Sequence, residues 1–333
     1  MKFIITGGAG FIGSHLTEKI IYAGHQVIVI DNESTGTVQN LAAISGHPNF
    51  TYLFTNIQMV NCWEQILEKD AVIIHLAATV GVNKVDKDPL ETLENNYMAT
   101  ILLLKLALRF QCKFFFASTS EVYGDSGKLY STETDALLVT ATHCGRTSYV
   151  LSKLLSEQYC MNYFRKYGLP VIVGRFFNVI GTRQLNTYGM VTPTFIKQAL
   201  ENKPITVYGD GSQTRNFCDV DDVATTIIKS LQTEAAYGEI FNIGGAENTT
   251  ILAFAQYIKE ATHSNSPIVY LPFPGERSNG RDVYYRSPSL AKIEAFTGWR
   301  PVIPWQDSVK AIIDDMVYQK NDSLKSSLIS FQS

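Results

Sequence analysis

The sequence has no CxxC pair, no HExxH and no Cys/His cluster at ligand spacing, so neither a disulfide framework nor a metal site is expected. Its five cysteines, Cys62, Cys112, Cys144, Cys160 and Cys218, are an odd and scattered set, as reduced thiols in a cytoplasmic protein would be. No apolar run approaches the ~18 residues of a membrane span. The most apolar stretch, 101–108, is broken by Lys105. The opening MKFIITGGAGFIG enters a glycine-rich turn within six residues, so no cleavable signal is expected. No block of five or six like charges occurs, and a net charge of −3 offers nothing to a polyanion. These absences predict a soluble protein with neither nucleic acid nor membrane as a partner.

What the chain does have is material for a core, with 45% apolar and 18% charged residues among 333. That length suits two domains or one elaborated domain. In the first half, β-rich runs near residues 3–6, 27–31, 72–76, 114–118 and 171–176 alternate with helical patterns near 15–22, 89–108 and 147–167. Such alternation predicts an α/β fold, a doubly wound parallel sheet with helices on both faces. Beyond about Asn178, turn-rich pieces such as YGDGSQ and LPFPGERSNG separate helical patterns and predict a smaller α/β C-terminal lobe. The expected boundaries are 1–178 for the first domain, rejoined by about 217–245, then 179–216 and 246–320 for the lobe. A polar tail, 321–333, would follow.

Gly7, Gly10 and Gly13 in TGGAGFIG follow the first strand and open a helix. Backbone without Cβ lets a pyrophosphate approach a helix N-terminus, where N–H groups and the dipole meet its charge. The spacing GxxGxxG matches the dinucleotide fingerprint loosely, and alone it also describes a plain strand-to-helix turn. Its neighbour narrows the choice. The strand VIVID ends at Asp31, eighteen residues after Gly13, where a carboxylate can accept bonds from adenosine ribose hydroxyls and repel a 2′-phosphate. Asn32 and Glu33 follow, with no Lys or Arg to receive such a phosphate, so a Rossmann-type sheet binding NAD rather than NADP is predicted.

Ser118 to Gly124 follow the strand KFFFAS and should gather at the carboxyl end of the sheet, where ligands bind in such folds. Tyr149 and Lys153 stand four apart on one helix face. A phenol with a pKa near ~10 is a poor base, and a nearby ammonium would help its phenolate form. Taken alone, YxxxK also describes any surface helix.

In combination, TGGAGFIG, Asp31, HLAA at 75–78, Asn96, STSEVYG, YVLSK, RFFNVIG and VYGDGSQTRNF resemble the extended short-chain dehydrogenases/reductases that modify nucleotide sugars. The resemblance runs from Met1 to about Trp305. It implies that Gly7, Gly10, Phe11, Ile12 and Gly13 hold the NAD pyrophosphate, and that Asp31, Asn32 and Gly36 hold the adenosine ribose. Ala77, Asn96 and Lys153 would touch the rest of the cofactor. Tyr149 would be the base for the sugar O4–H, with Thr119 sharing that hydrogen bond. Asn178, Arg215 and Asp282 would hold the nucleotide diphosphate, assisted by Arg281.

Reactions of this family start with oxidation at C4 and diverge afterwards. Dehydratases carry an Asp-Glu pair where this chain has Ser120 and Glu121, so a C5 acid or base is present and the acid for water loss is missing. The segment ASTSEVYGD resembles the UDP-glucuronate decarboxylases, and Arg286 in YYRSPSL falls where those enzymes meet the substrate carboxylate. Their Pro-rich loop after HLA is replaced here by ATVGVNKV. A UDP-hexose or UDP-N-acetylhexosamine 4-epimerase and a dehydratase acting at C5 and C6 remain the alternatives. An NAD-binding sensor or scaffold would be expected to lack Tyr149, Lys153 or Thr119, and all three are there. Runs 95–108 and 147–163 are apolar on more than one face, which predicts a homodimer through a helix bundle.

Overall fold

The structure is a computed structural model that describes residues 1–139, 145–185, 190–273 and 283–330. Its strands are β1 (Lys2–Thr6), β2 (Gln26–Asp31), β3 (Phe50–Phe54), β4 (Val72–His75), β5 (Lys113–Thr119), β6 (Val171–Phe176), β7 (Asn178–Ile180), β8 (Ile205–Tyr208), β9 (Thr214–Asp219), β10 (Glu239–Ile243), β11 (Asn248–Thr250), β12 (Ile268–Leu271) and β13 (Tyr285–Arg286). The helices are α1 (Phe11–Tyr22), α2 (Trp63–Ile66), α3 (Val82–Lys87), α4 (Pro89–Phe110), α5 (Gly145–Tyr167), α6 (Val191–Leu200), α7 (Val220–Gln232), α8 (Ile251–Ala261), α9 (Ala291–Thr297) and α10 (Trp305–Ser330). Helix α10 thus continues to Ser330, through most of the segment read as a polar tail.

Seven parallel strands form the main sheet in the order β10-β6-β5-β4-β1-β2-β3. Their near-continuous apolar runs follow from burial on both faces, since successive side chains point to opposite sides. Ile5, Val72, Ile74 and Phe115 pack on one face with Leu16 and Ile20 of α1 and Val223 and Ile227 of α7. Ile4, Ile73, Phe114 and Phe116 pack on the other with Leu103 and Leu104 of α4 and Cys160 and Met161 of α5. Strand order reverses between β1 and β4, and at that switch point the crevice outside the carboxyl ends of a doubly wound sheet opens.

A third core belongs to the smaller lobe. Phe195, Phe217, Phe254 and Trp305 gather there, with the Phe217 and Phe254 rings stacked 4.1 Å apart. Strand β9 carries the lobe's sheet, pairing with β11, β13 and β7, and β7 begins two residues after β6. The lobe's sheet is thereby fixed next to the carboxyl edge of the main one.

Candidate active site

At the end of β1 the chain turns through Gly7, whose φ of +74° is the left-handed region that an L side chain avoids. A Cβ there would lie 2.7 Å from the Ala77 nitrogen, and one at Gly13 would lie 2.1 Å from the Gly7 carbonyl oxygen. Helix α1 then starts at Gly10 with no side-chain cap and no acidic residue in its first turn. Its leading N–H groups and positive dipole end are left for an anion, in a cradle that any larger residue would fill. Phe11 and Ile12 line the same cavity.

Asp31, at the end of β2, accepts the Ala9 N–H on Oδ2 at 2.9 Å and the Glu33 N–H on Oδ1 at 2.8 Å. Burial raises its pKa, against the lowering effect of those two bonds. Each oxygen keeps lone-pair capacity for a ribose hydroxyl. Asn32 borders the cavity beside it, while Glu33, which does not line the cavity, accepts the Tyr52 hydroxyl and the Val38 N–H. The chemistry of this donor set fits NAD. Gly36 does not line the cavity, and a Cβ there would lie 2.5 Å from the Ala9 carbonyl oxygen.

Asn96 is buried in α4 and accepts the Thr79 N–H at 2.7 Å, while its amide donates to the Thr79 carbonyl and the Ser152 hydroxyl. It therefore ties down the loop that runs on from Ala77, and both residues line the cavity.

Strand β5 delivers Thr119, Ser120 and Glu121. Thr119 caps a short 3₁₀ turn by accepting the Glu121 N–H at 3.2 Å, and its hydroxyl acts to lower the Tyr149 phenol. Burial and the charge of Glu121 push the Tyr149 phenol above its ordinary range, opposed by the Thr119 bond and by Arg146. Lys153, one turn further along α5, donates to the Ala117 carbonyl at 2.8 Å, and burial lowers it to about 8. Its Nζ lies 6.0 Å from the centroid of the Tyr149 ring.

Sequence reasoning missed Arg146. Its Nε donates to Glu121 Oε2 at 2.8 Å and its Nη2 to Oε1 at 2.6 Å, a bidentate grip. Spacing puts 146, 149 and 153 on one helical face, but nothing in the sequence marks Glu121 as the partner of the first. Glu157 and Arg175 were also missed, and they pair beneath the site, both buried.

The lobe closes the far end. Asn178 opens β7 and donates to the Asn216 carbonyl at 3.2 Å. Arg215 and Arg286 are register partners on β9 and β13, which sets the two arginines side by side. Arg215 donates to the Thr214 and Val283 carbonyls, and Arg286 Nη1 stands 3.9 Å from Glu121 Oε1. Arg281 and Asp282 lie outside the described residues. The glycine turn, Asp31, Tyr149, Lys153, Asn178, Arg215 and Arg286 all border one cavity of about 860 Å³. No group of three or more His, Cys, Asp or Glu able to hold a metal occurs among the described residues. No helix among them is long and apolar enough to cross a membrane.

Fold and cavity together define a class, an enzyme that uses NAD on a Rossmann-type sheet. More particularly, the chain belongs to the NAD dependent epimerase/dehydratase family, whose model matches residues 3–244. It is 37% identical over 323 residues to the UDP-N-acetyl-alpha-D-glucosaminuronate decarboxylase of Bacillus cytotoxicus, covering 96% of this chain and 99% of that one. It is 36% identical over 312 residues to UDP-glucuronic acid decarboxylase 1 of Danio rerio, covering 94% and 72%. The UDP-glucuronic acid 4-epimerase of Bacillus cereus, solved with UDP-glucuronic acid and NAD, superposes with a TM-score of 0.85 at 28% identity, covering 96% and 100%.

A methyl group at position 13 has no room beside the Gly7 carbonyl. Gly13→Ala is expected to purify with its NAD content cut about tenfold or more, a step of ~1.4 kcal/mol in affinity. Acid release of bound nucleotide followed by chromatography checks this, and wild-type occupancy would contradict the cradle.

Proposed function

We propose that this chain decarboxylates a UDP-linked hexuronate, UDP-glucuronate or its 2-acetamido counterpart, by way of transient oxidation at C4. One observation carries the reading: Glu121, gripped by Arg146 and facing Arg286, shares a cavity wall with Tyr149. A neutral hydroxymethyl group at C5 has no use for guanidinium groups there, whereas a carboxylate does. The decarboxylase relatives support the same choice, and so does Ser120, which leaves no Asp-Glu pair for the loss of water.

In this reading Tyr149 takes the proton from O4–H, with Thr119 holding that oxygen in line. Bound NAD supplies the hydride acceptor and, later, the donor at C4, and its cationic ring favours the phenolate. The 4-keto product is a β-keto acid, which loses carbon dioxide readily. Arg286 orients the departing carboxylate, Glu121 serves protonation at C5, and the neighbouring Ser120 hydroxyl assists at that end. Lys153, as an ammonium, binds toward the nicotinamide ribose. Asn178 and Arg215 hold the nucleotide diphosphate, with Arg281 and Asp282 joining them. Residues 1–178 with about 217–245 form the NAD-binding part, and the remainder forms the substrate lobe. Helices α4 and α5 expose Met98, Leu151 and Leu155, an apolar face for a second copy of the chain.

Mass spectrometry and NMR of products from UDP-glucuronate, UDP-N-acetylglucosaminuronate, UDP-glucose and UDP-N-acetylglucosamine test the reaction. Carbon dioxide and a UDP-pentose from a uronate alone are expected. A C4-inverted uronate, or turnover of only the neutral sugars, would establish an epimerase instead. Tyr149→Phe should abolish turnover while calorimetry finds UDP-sugar binding nearly intact.

Burial pushes the Lys153 ammonium down to about 8 from its ordinary 10.5, so the charge is held below that pH and lost above it. Turnover number is expected to fall as pH rises through about 8, and Lys153→Arg should move that limb upward, because a guanidinium stays charged. A pH profile identical in the two enzymes would refute the role. Light scattering at micromolar concentration should return twice the 37.1 kDa of one chain, and a monomeric mass would remove the dimer.

A further inference from the structure

We infer that Arg146 is a positioning residue that aims Glu121 at C5 of the sugar, so that it governs how the oxidised intermediate is used rather than how it is formed. The inference rests on the decarboxylase reading above. Glu121 sits in the 3₁₀ turn after β5, and three groups face it among the described residues: Arg146 and Tyr149 from α5, and Arg286 from β13. Among the described residues, Arg146 meets both carboxylate oxygens, at 2.8 and 2.6 Å. A planar fork of this kind fixes the orientation of a carboxylate as well as its place, which a single point charge does not.

The geometry couples the two ends of the reaction. Arg146 lies one helical turn before Tyr149, so the helix that sets the C4 base also sets the group serving C5. Arg146 also works against the effect of Glu121 on the phenol, since Glu121 raises Tyr149 and Arg146 lowers it. With the fork in place, a carboxylate can stand beside the base at a reduced electrostatic cost.

The step it serves balances as follows. Breaking C5–C6 releases carbon dioxide and leaves the electron pair as an enolate over C5, C4 and O4. One proton from solvent passes through Glu121 to C5, the C5–H bond forms, and the C4 carbonyl is restored before its reduction. One proton is consumed for each carbon dioxide released. Without the fork, Glu121 turns away from C5, and the oxidised intermediate waits or escapes.

The test uses wild-type holoenzyme and the variants Arg146→Met, Arg146→Lys and Glu121→Gln, with UDP-glucuronate and UDP-N-acetylglucosaminuronate in deuterated water. For Arg146→Met, UDP-pentose formation is expected to fall roughly hundredfold, the lower end of what an aimed proton donor contributes. Absorbance at 340 nm should build up on the enzyme, 4-keto product should leak out, and deuterium should appear on both faces of C5. KM for the uronate should change little. Arg146→Lys, which keeps the charge but not the fork, should show the same partitioning more weakly, and Glu121→Gln should reproduce it. If Arg146→Met does not fold, the other two variants carry the test. A wild-type enzyme that releases carbon dioxide, beside variants with unchanged 340 nm absorbance and C5 labelling, overturns the inference alone. A wild-type enzyme that releases none from either uronate overturns the decarboxylase reading and the inference together.

Discussion

The buried ion pair between Glu157 and Arg175 is the interaction on which the site's geometry depends. Arg175 Nη2 donates to Glu157 Oε2 at 2.7 Å and its Nε to Oε1 at 3.0 Å, and the Ser118 hydroxyl donates to the same carboxylate. Arg175 also meets the Tyr123 hydroxyl at 2.9 Å, which in turn donates to Asn242 Oδ1 at 2.6 Å. One network therefore joins α5, β5, β6, β10 and the turn that carries Glu121. Both charges are out of water, so removal of either partner would strand the other at a cost of ~3–5 kcal/mol. Such a pair adds little net stability against an apolar substitute, and its value lies in fixing one arrangement of the elements it joins.

What it fixes is the rotation of α5. Glu157, Lys153, Tyr149 and Arg146 lie at successive turns of one helix, and anchoring the first two against β5 and β6 leaves the other two aimed over the carboxyl edge. Lys153 reinforces the anchor through the Ala117 carbonyl. From the other side, the turn after β1 passes so close to the loop after β4 that a Cβ at Gly7 would lie 2.7 Å from the Ala77 nitrogen. The cavity is thus bounded by two rigid walls from the main sheet, with the lobe's β9 and β13 as the third. Since β7 follows β6 almost directly and pairs with β9, lobe and sheet share a rigid seam.

Much of this was legible in the sequence because it depends on local periodicity and on turns. Continuous apolar runs such as FII and FFF announce strands buried on both faces, and a glycine turn followed by a strand-ending Asp31 announces the dinucleotide edge. Tyr149 and Lys153 were legible through their helical spacing. Arg146 was harder, because a lone arginine three residues before a tyrosine has no meaning until the turn after β5 brings Glu121 opposite it. Glu157 and Arg175 were invisible for a similar reason, since they read as ordinary charged residues on a helix and a strand until burial forces them together. Gly36 was not separable in the sequence from a cavity-lining glycine, and its place behind Asp31, where a Cβ would meet the Ala9 carbonyl, is a matter of packing that spacing does not announce.

The electrostatics of the site have a common origin. Burial favours the neutral form of every group it encloses, so it raises the Tyr149 phenol and lowers the Lys153 ammonium. The protein by itself therefore holds the tyrosine protonated and keeps the lysine near the edge of losing its charge. Proton removal from a sugar hydroxyl requires the opposite balance, a phenolate beside a full positive charge. Arg146 is the one protein cation among the described residues that lowers the phenol, and it is also the one that grips Glu121 with both nitrogens. A single guanidinium thus works against burial at the Tyr149 phenol and orients the Glu121 carboxylate beside it, which ties the two groups to the same side chain.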